Sequence, residues 1–451
     1  MPLTESCAQP ESPLCAALSS ALSQALAEAA PTAIWLAFSG GVDSQLLATL
    51  LAGWQRDHPQ IPCYLLHVHH GLSDDAEQWV QHCQASAEQL GLPLTVHRVE
   101  LQLGPRISVE AAARHARYQA FLSHIDPQHV LLTGHHLDDQ AETLLLALKR
   151  GSGPKGLSAM APSQPFGAGR LMRPWLGLPR RAIEQAAAAM ALSHIEDHSN
   201  ADLRFDRNFL RHRILPQLEA RWPGVKTSLA RSAVLCAEQQ SLCDELAATD
   251  LARCQLPADG LSLARSAELS VLRRNNLVRY WLAQQGALMP SRLQLAQIER
   301  IWQARADSQP QVDWAGWSVR RYLDGLYLLS AEPALPCEDE PWQTQCLANG
   351  ECWRLQSASA GPRLQPPAEQ QRLTVRYGLP GTTRLRPAGR SGSRPLKKLW
   401  QEYRVPPWLR SQVAMLCYDD KVVAALGYWL EQDALCQEGP GVIPQRQDEM
   451  S

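Results

Sequence analysis

A chain of 451 residues, 45% hydrophobic and 20% charged, has an ordinary soluble globular composition and the length for two or three domains with separate cores. The formal net charge of −2 gives no global pull toward nucleic acid, so such a partner has to be met by local basic patches. No apolar run approaches the roughly 18–20 residues of a membrane span, and the 12 cysteines include no C-x-x-C pair, which argues against structural zinc, iron–sulfur or disulfide frameworks and fits free thiols in a reducing cytoplasm.

The N-terminus is Ala-rich, carries Glu5, Glu11 and Glu28, and has no Lys or Arg before Arg56. An export signal needs a basic start, so residues 14–29 read instead as a surface helix. The apolar run 33–38 then enters Ser39-Gly40-Gly41-Val42-Asp43-Ser44, and Leu46, Leu47, Leu50, Leu51 and Trp54 follow at helical spacing. A buried strand feeding a helix through a double glycine makes an anion-binding turn, with backbone N–H groups, two hydroxyls and the helix dipole aimed at the ligand. It is neither a Walker A loop nor a dinucleotide fingerprint, because the required lysine and third glycine are missing. Asp43 is the misfit among anion donors, and makes sense beside a metal ion or a substrate cation.

Strand-like runs recur at 63–68, 94–99 and 129–133, with helical patterns at 74–90, 108–123 and after 138. This alternation predicts an α/β fold: a parallel, Rossmann-like sheet covered on both faces. Ligands of such sheets sit beyond the strands' carboxyl ends, which places Ser39–Ser44, His67–Gly71 and Thr133–Asp139 on one rim. His67, Gly134 and His135 are therefore candidate nucleotide-lining residues, with a packed strand end the equal alternative for His67–Leu72. Arg114 and Arg117 lie near one helix face with Glu110 and Tyr118, which reads either as an ordinary solvated face or as cations able to reach phosphates. In Gly134-His135-His136-Leu137-Asp138-Asp139-Gln140-Ala141-Glu142-Thr143, Asp139 and Glu142 are three apart on one helical face. That pair suits either Mg²⁺ or an ammonium-bearing substrate, while plain helix capping is the bland alternative.

The basic, glycine-rich stretch 149–157, with Lys149, Arg150 and Lys155, reads as an irregular loop able to cover a site. After Asp197-His198-Ser199-Asn200, a helix carrying Arg204, Arg207, Asn208 and Arg211 at steps of three and four makes a cationic stripe suited to a phosphate backbone. Residues 218–310 are helical in pattern, 312–329 hold a hairpin at Asp324-Gly325, and 331–370 read as a linker. A last compact region spans 371–436. Between 384 and 410 it carries eight basic residues, Arg384, Arg386, Arg390, Arg394, Lys397, Lys398, Arg404 and Arg410, against the single acid Glu402. Trp400, Tyr403 and Trp408 interleave with them, a composition that fits RNA binding through phosphates and stacking.

SGGVDS is similar to the pyrophosphate (PP) loop of the N-type ATP pyrophosphatases. Together with HVHHGL, EAAARHARY, TGHHLDDQAET, RGSGPKGL, Arg173-Pro174-Trp175-Leu176 and DHSNADLRFDRNFLRHRILP, it resembles the tRNA(Ile)-lysidine synthetase family, and residues 398–410 resemble that family's C-terminal tRNA-binding domain. The motifs cover about 34–216 and 384–430. The resemblance implies a PP-loop catalytic domain over 1–217, a mainly helical tRNA-contacting domain over 218–330, the linker 331–370 and a small α+β tRNA-binding domain over 371–436. It implies adenylation of the wobble cytidine of a CAU-anticodon isoleucine tRNA, followed by attack of free lysine. Ser39, Gly40, Gly41, Val42, Asp43 and Ser44 would hold ATP, with Asp43 near Mg²⁺ and Arg114 a catalytic cation. Asp139 and Glu142 would receive the lysine ammonium. Lys149, Arg150, Lys155, Arg204, Arg207, Arg211 and the C-terminal basic residues would meet tRNA. A cytoplasmic location follows, and a homodimer is left open. The alternatives are a tRNA sulfurtransferase of the same superfamily, whose cysteine motifs are missing near these loops, and a non-catalytic nucleotide- or RNA-binding module.

Overall fold

In the computed structural model the residues described are 12–71, 75–100, 109–257, 259–304, 310–330, 340–342, 347 and 351–447. Strand β1 (Ala33–Ala37) turns Ile34 and Leu36 to one face and Trp35 and Ala37 to the other, as alternation along a strand requires. Both faces are covered, which is why the run is apolar throughout. Around it follow α1 (Pro13–Ala29), α2 (Val42–Asp57), β2 (Cys63–His69), α3 (Ala76–Leu90), β3 (Leu94–Arg98), α4 (Val109–Leu122), β4 (His129–Leu132) and α5 (Leu137–Lys149). The expected surface helix α1 is docked along one face. Leu14, Leu18, Leu22 and Ala25 are buried, and Trp175 Nε1 donates to the Leu14 carbonyl at 3.1 Å.

The chain continues through α6 (Pro154–Leu157), β5 (Ser163–Phe166), β6 (Gly169–Met172) and α7 (Arg180–Ala189). The sheet order is β3-β2-β1-β4-β6-β5, parallel except for β5. Strands step outward from β1 to β3, and the chain then crosses to β4 on the other side of β1. That reversal opens a crevice at the carboxyl ends of β1 and β4. The β5–β6 hairpin carries no strong sequence signal, yet its parallel member β6 brings Arg173 to the same rim.

Beyond this sheet lie α8 (Asp206–Phe209), a π-helical turn over Leu210–Ile214, α9 (Leu215–Arg221) and α10 (Val225–Cys254). The chain divides into two compact units, 1–246 and 247–451, so the first runs past the boundary expected at 217. The second opens with β7 (Gln255–Leu256), β8 (Gly260–Ser262), α11 (Leu263–Ala267), α12 (Val271–Gln284) and α13 (Arg292–Arg300). With β9 (Gln311–Trp314), β10 (Trp317–Tyr322) and β11 (Gly325–Ser330) they enclose a core around Leu277, Trp281, Ile298, Val319 and Leu326. Tyr322 pairs with Gly325, so the hairpin turn is Leu323-Asp324, one residue earlier than expected.

The remaining elements are β12 (Glu340–Pro341), β13 (Trp353–Ala358), β14 (Leu373–Arg376), β15 (Arg384–Leu385), β16 (Arg394–Pro395), α14 (Leu396–Glu402), β17 (Met415–Tyr418), β18 (Lys421–Ala425), β19 (Trp429–Leu430) and β20 (Gly441–Arg446). The expected linker needs correction. Residues 331–339, 343–346 and 348–350 lie outside the described residues, but β12 pairs with β14 and β13 pairs with β20 along six residues. The C-terminal module thus includes 353–358 and reaches 446 rather than 436. Cys63, Cys83, Cys236, Cys254 and Cys436 are free thiols, whereas Cys352 is disulfide-bonded. Among the described residues no helix is long and apolar enough to cross a membrane.

Candidate active site

The turn from β1 into α2 is held in one shape from several sides. Gly40 has φ +81°, a left-handed conformation that L side chains rarely adopt, and its carbonyl accepts from Ile195 N at 2.9 Å. Ser44 Oγ donates to the Gly41 carbonyl at 3.0 Å, accepts from Ser39 N at 3.2 Å and lies 3.1 Å from Ser39 Oγ. Gly41 is extended as N-cap and offers no side-chain cap, which leaves the first-turn N–H groups of α2 for an anion.

Asp43 lies in that first turn. A Cβ placed on Gly134 would come within 3.2 Å of Asp43 Cβ, so glycine there lets the β4–α5 loop close onto the β1–α2 loop. Asp43 Oδ1 is buried without a hydrogen-bond partner, and burial pushes its carboxyl up while His136 and Arg180 pull it down. An orphaned carboxylate oxygen beside an anion turn fits one ligand position of a divalent ion whose remaining ligands are phosphates and water. Among the described residues no three His, Cys, Asp or Glu side chains are arranged to hold a metal by themselves.

His136 joins this loop to the acid pair. It is 1% exposed and caps α5, with Nδ1 accepting from Asp139 N at 3.4 Å while Asp139 Oδ2 accepts from His136 N at 3.1 Å. With Nδ1 an acceptor, Nε2 carries the proton, and it lies 3.3 Å from Asp139 Oδ2 and 3.9 Å from Asp43 Oδ1. Burial alone would raise the Asp139 carboxyl, but His136, His135 and Arg211 outweigh it and hold it below the usual range. Asp138 is occupied elsewhere: it accepts from Arg180 N at 3.1 Å and pairs with Lys226 of α10.

Two nucleotide-lining candidates carry structural tasks as well. His67 is 5% exposed and its Nδ1 donates to the Phe38 carbonyl at 2.9 Å, so its ring braces the lead into the turn. His135 Nδ1 is 2.8 Å from Thr133 Oγ1, and burial depresses the ring to about 4, so it is neutral. Arg114 stays exposed, donating to Tyr118 Oη at 3.2 Å with its guanidinium over the ring.

The cationic stripe requires the largest correction. Arg204 precedes α8 and is exposed, paired with Asp202 at 2.7 Å. Arg207 and Arg211 turn inward instead. Arg211 Nε donates to Glu142 Oε1 at 2.6 Å, and Arg211 Nη2 donates to Glu142 Oε2 at 3.0 Å and to Asp139 Oδ1 at 2.9 Å. Arg207 Nε lies 3.4 Å from Glu142 Oε2, and its Nη2 donates to Thr143 Oγ1 at 3.0 Å. The Glu142 side chain is fully buried, and burial raises its carboxyl against the pull of Arg211. Asn208 pins the preceding loop by donating to the Ser199 and Asp202 carbonyls.

Family models match this chain in three places. A PP-loop domain covers residues 15–218, a TilS substrate binding domain 261–327, and a TilS substrate C-terminal domain 373–443. A tRNA(Ile)-lysidine synthase of Shewanella oneidensis is 43% identical over 427 residues, covering 90% of this chain and 92% of that protein. The enzyme of the same name from Shigella flexneri is 44% identical over 416 residues, covering 91% and 95%. The chain belongs to the tRNA(Ile)-lysidine synthase family. It is an ATP-dependent ligase of tRNA modification, with its nucleotide site in the PP-loop domain.

The basic segments expected to serve this family's tRNA take more definite forms than their composition suggests. Residues 149–157 are a tight turn into α6, with Pro154 opening the helix, which corrects the irregular loop. Lys149 pairs with Asp206 at 2.6 Å, while Arg150 and Lys155 are exposed. In the C-terminal module the aromatic residues are not free platforms. Trp400 is 4% exposed and packs on Trp429, Tyr403 lies tilted against the same ring, and Trp408 meets Tyr322 and Tyr327. Glu402 pairs with both Arg390 and Arg394, and Arg410 donates to the Val405 carbonyl. Lys397, Lys398 and Arg404 remain exposed without an ion pair among the described residues.

Proposed function

We propose that this enzyme uses ATP to adenylate the wobble cytidine of an isoleucine tRNA with a CAU anticodon, then joins free lysine to the activated carbon, releasing AMP and pyrophosphate. The observation that supports this reading is the closeness of the two acids: the buried Nε2 of His136 lies 3.9 Å from Asp43 of the phosphate loop and 3.3 Å from Asp139, the acid we assign to the amine. Adenylation and amine transfer then share one cleft. The first turn of α2 and the Ser39–Ser44 loop stabilise charge leaving on pyrophosphate. Asp43 would hold Mg²⁺, which supplies neutralisation of the phosphate oxygens. Asp139 receives a lysine ammonium, and Glu142, fully buried against Arg211, supports it from behind. Arg114, exposed at the rim, meets phosphate oxygens.

The test mixes the protein with ATP, Mg²⁺, labelled lysine and a transcript of the minor isoleucine tRNA. Label on tRNA with matching AMP release is expected; absence of both overturns the reading.

Residues 218–330 and 371–436 contact the tRNA on this reading, and the enzyme works in the cytoplasm, where its tRNA resides. The exposed pair Lys397 and Lys398 supplies sequence-independent phosphate contacts. Replacing both by Ala is expected to weaken tRNA binding about 10-fold at low salt and to reduce the slope of log affinity against log salt by about 2. Filter binding over a salt series measures both. An unchanged slope removes these lysines from the tRNA surface.

A further inference from the structure

We propose that Phe209 is a stacking platform for the anticodon adenine next to the wobble cytidine, holding the loop in place while the cytidine reacts. The inference rests on the tRNA substrate proposed above, and it adds a base contact in the catalytic domain to the phosphate contacts expected of the basic residues.

The chain has five phenylalanines. Phe38, Phe121 and Phe166 are buried, and the last two pack against Tyr118. Phe205 is half-buried, whereas Phe209 is 43% exposed and its ring meets no other ring among the described residues. A single exposed apolar side chain is ordinary on a protein surface, so what matters is where this one stands. Three contacts fix the course of its segment. Lys149 pairs with Asp206 at 2.6 Å, Arg207 Nη2 donates to Thr143 Oγ1 at 3.0 Å, and Arg211 Nη2 donates to Asp139 Oδ1 at 2.9 Å. As the chain advances from 206 to 211, its partners on α5 retreat from 149 to 139. The segment therefore runs antiparallel to α5 and ends at the acid pair. Phe209 is midway between the two arginines, and two residues turn a helix by about 200°. Arg207 and Arg211 face α5, and Phe209 faces outward, about 3 Å along the axis from Arg211.

The charges along this segment suit a nucleic-acid strand. Arg213, about one turn further along the π-helical stretch, and Arg150, next to Lys149, are exposed with no ion pair among the described residues. The nearest acids in the chain, Asp202 and Asp206, are paired with Arg204 and Lys149. An aromatic face with free cations beside it matches an unpaired base and its flanking phosphates. The reaction also creates the need for such a face. The wobble cytidine reaches the buried acids only by leaving the stack of the anticodon loop, which strips the adenine beside it of a stacking neighbour. An exposed ring at the edge of the site replaces that neighbour. Spacing in the sequence makes this segment a cationic stripe, but with Arg207 and Arg211 turned inward its outer surface is held by Phe209 and Arg213.

The experiment measures lysine transfer by the full-length wild type, Phe209→Leu and Phe209→Tyr on two substrates: the minor isoleucine tRNA, and the same tRNA with an abasic residue in place of the anticodon adenine. Phe209→Leu keeps an apolar side chain and removes the π-face, so its kcat/KM for the intact tRNA is expected to fall about 10-fold, through KM, the size of one lost base–aromatic stack. Phe209→Tyr is expected to recover most of that loss. The abasic tRNA is expected to cost wild type about 10-fold or more and to cost Phe209→Leu about 10-fold less than it costs wild type, because the two changes remove the same contact. KM values for ATP and lysine, and the salt slope of tRNA binding, should not move in Phe209→Leu, since no charge is lost. Phe209→Leu within about 2-fold of wild type on intact tRNA overturns the inference. Losses from Phe209→Leu and the abasic residue that multiply in full also overturn it, as does a loss shared by the KM values for ATP and lysine. A wild type that transfers no lysine to the intact tRNA overturns the tRNA reading itself, which separates the two failures.

Discussion

Gly40→Ala is expected to reduce ATP-dependent AMP formation by at least about 100-fold, an effect of the size seen when preorganised donors to a developing charge are lost. Two separate constraints act at this position. A left-handed φ of +81° costs an L residue on the order of 1–3 kcal/mol. A Cβ would also stand 2.3 Å from Ile195 Cδ1 and 3.0 Å from Cys83 Sγ, distances at which something must shift. Ile195 also holds the Gly40 carbonyl through its backbone N–H, so its side chain has to give way where its backbone is fixed, and the left-handed φ is a cost that no side-chain shift relieves. The neighbouring glycine provides the control. Gly41 has φ −70°, and a Cβ there would meet Ser39 Oγ at an ordinary 3.5 Å. Gly41→Ala should therefore retain AMP formation within about 5-fold, the range of a mild backbone restriction. Pyrophosphate exchange with cognate tRNA measures both variants. Similar activities for the two would mean that the loop is not held in the conformation described.

That contrast also marks the limit of what the sequence makes legible. Two adjacent glycines announce an anion turn, because few other roles need both after a buried strand, but only the packing of Ile195 tells which is indispensable. The strands β1 to β4 were readable because both faces of a parallel sheet are buried and their apolar runs are continuous. β5 and β6 were not, because strands of four residues each, with Pro165 in one and Gly169 in the other, carry too few apolar positions to show a period. The acid pair was readable as a helical i, i+3 face. Its neutralisation by Arg207 and Arg211 was not, since spacing gives the angle of a side chain around its own helix and not what that face meets. Trp400 and Tyr403 misled for the same reason: an aromatic among basic residues looks like a stacking platform until its core partner Trp429 is seen. His136 was visible only as one of two adjacent histidines. The signal that could have singled it out is its place directly before a helix whose third residue is an acid, the pattern of a reciprocal cap.

Asp139→Asn is expected to lower lysine transfer by about 100-fold or more while tRNA affinity stays within about 2-fold, because the proposed function gives this carboxylate the lysine amine and not the tRNA backbone. The substitution keeps the volume and one amide oxygen for His136 N, but it removes the charge opposite Arg211 and His136. A stability loss of about 1–3 kcal/mol should accompany it, as for other buried charge-assisted hydrogen bonds. The sign of its pH dependence follows from the direction of the shift. The folded-state pKa of Asp139 is held below its ordinary value of 3.8, so the ionised form stabilises the fold. That contribution is fully present above the unfolded value and disappears as pH falls through the folded one. The stability gap between wild type and Asp139→Asn should consequently be constant near neutrality and close below pH 3.8. Denaturant melts across that window, paired with lysine incorporation and tRNA binding at neutral pH, test the three parts together. A gap that widens on acidification would show that the carboxyl is favoured in its neutral form, and equal losses of lysine transfer and tRNA binding would remove Asp139 from the amine site.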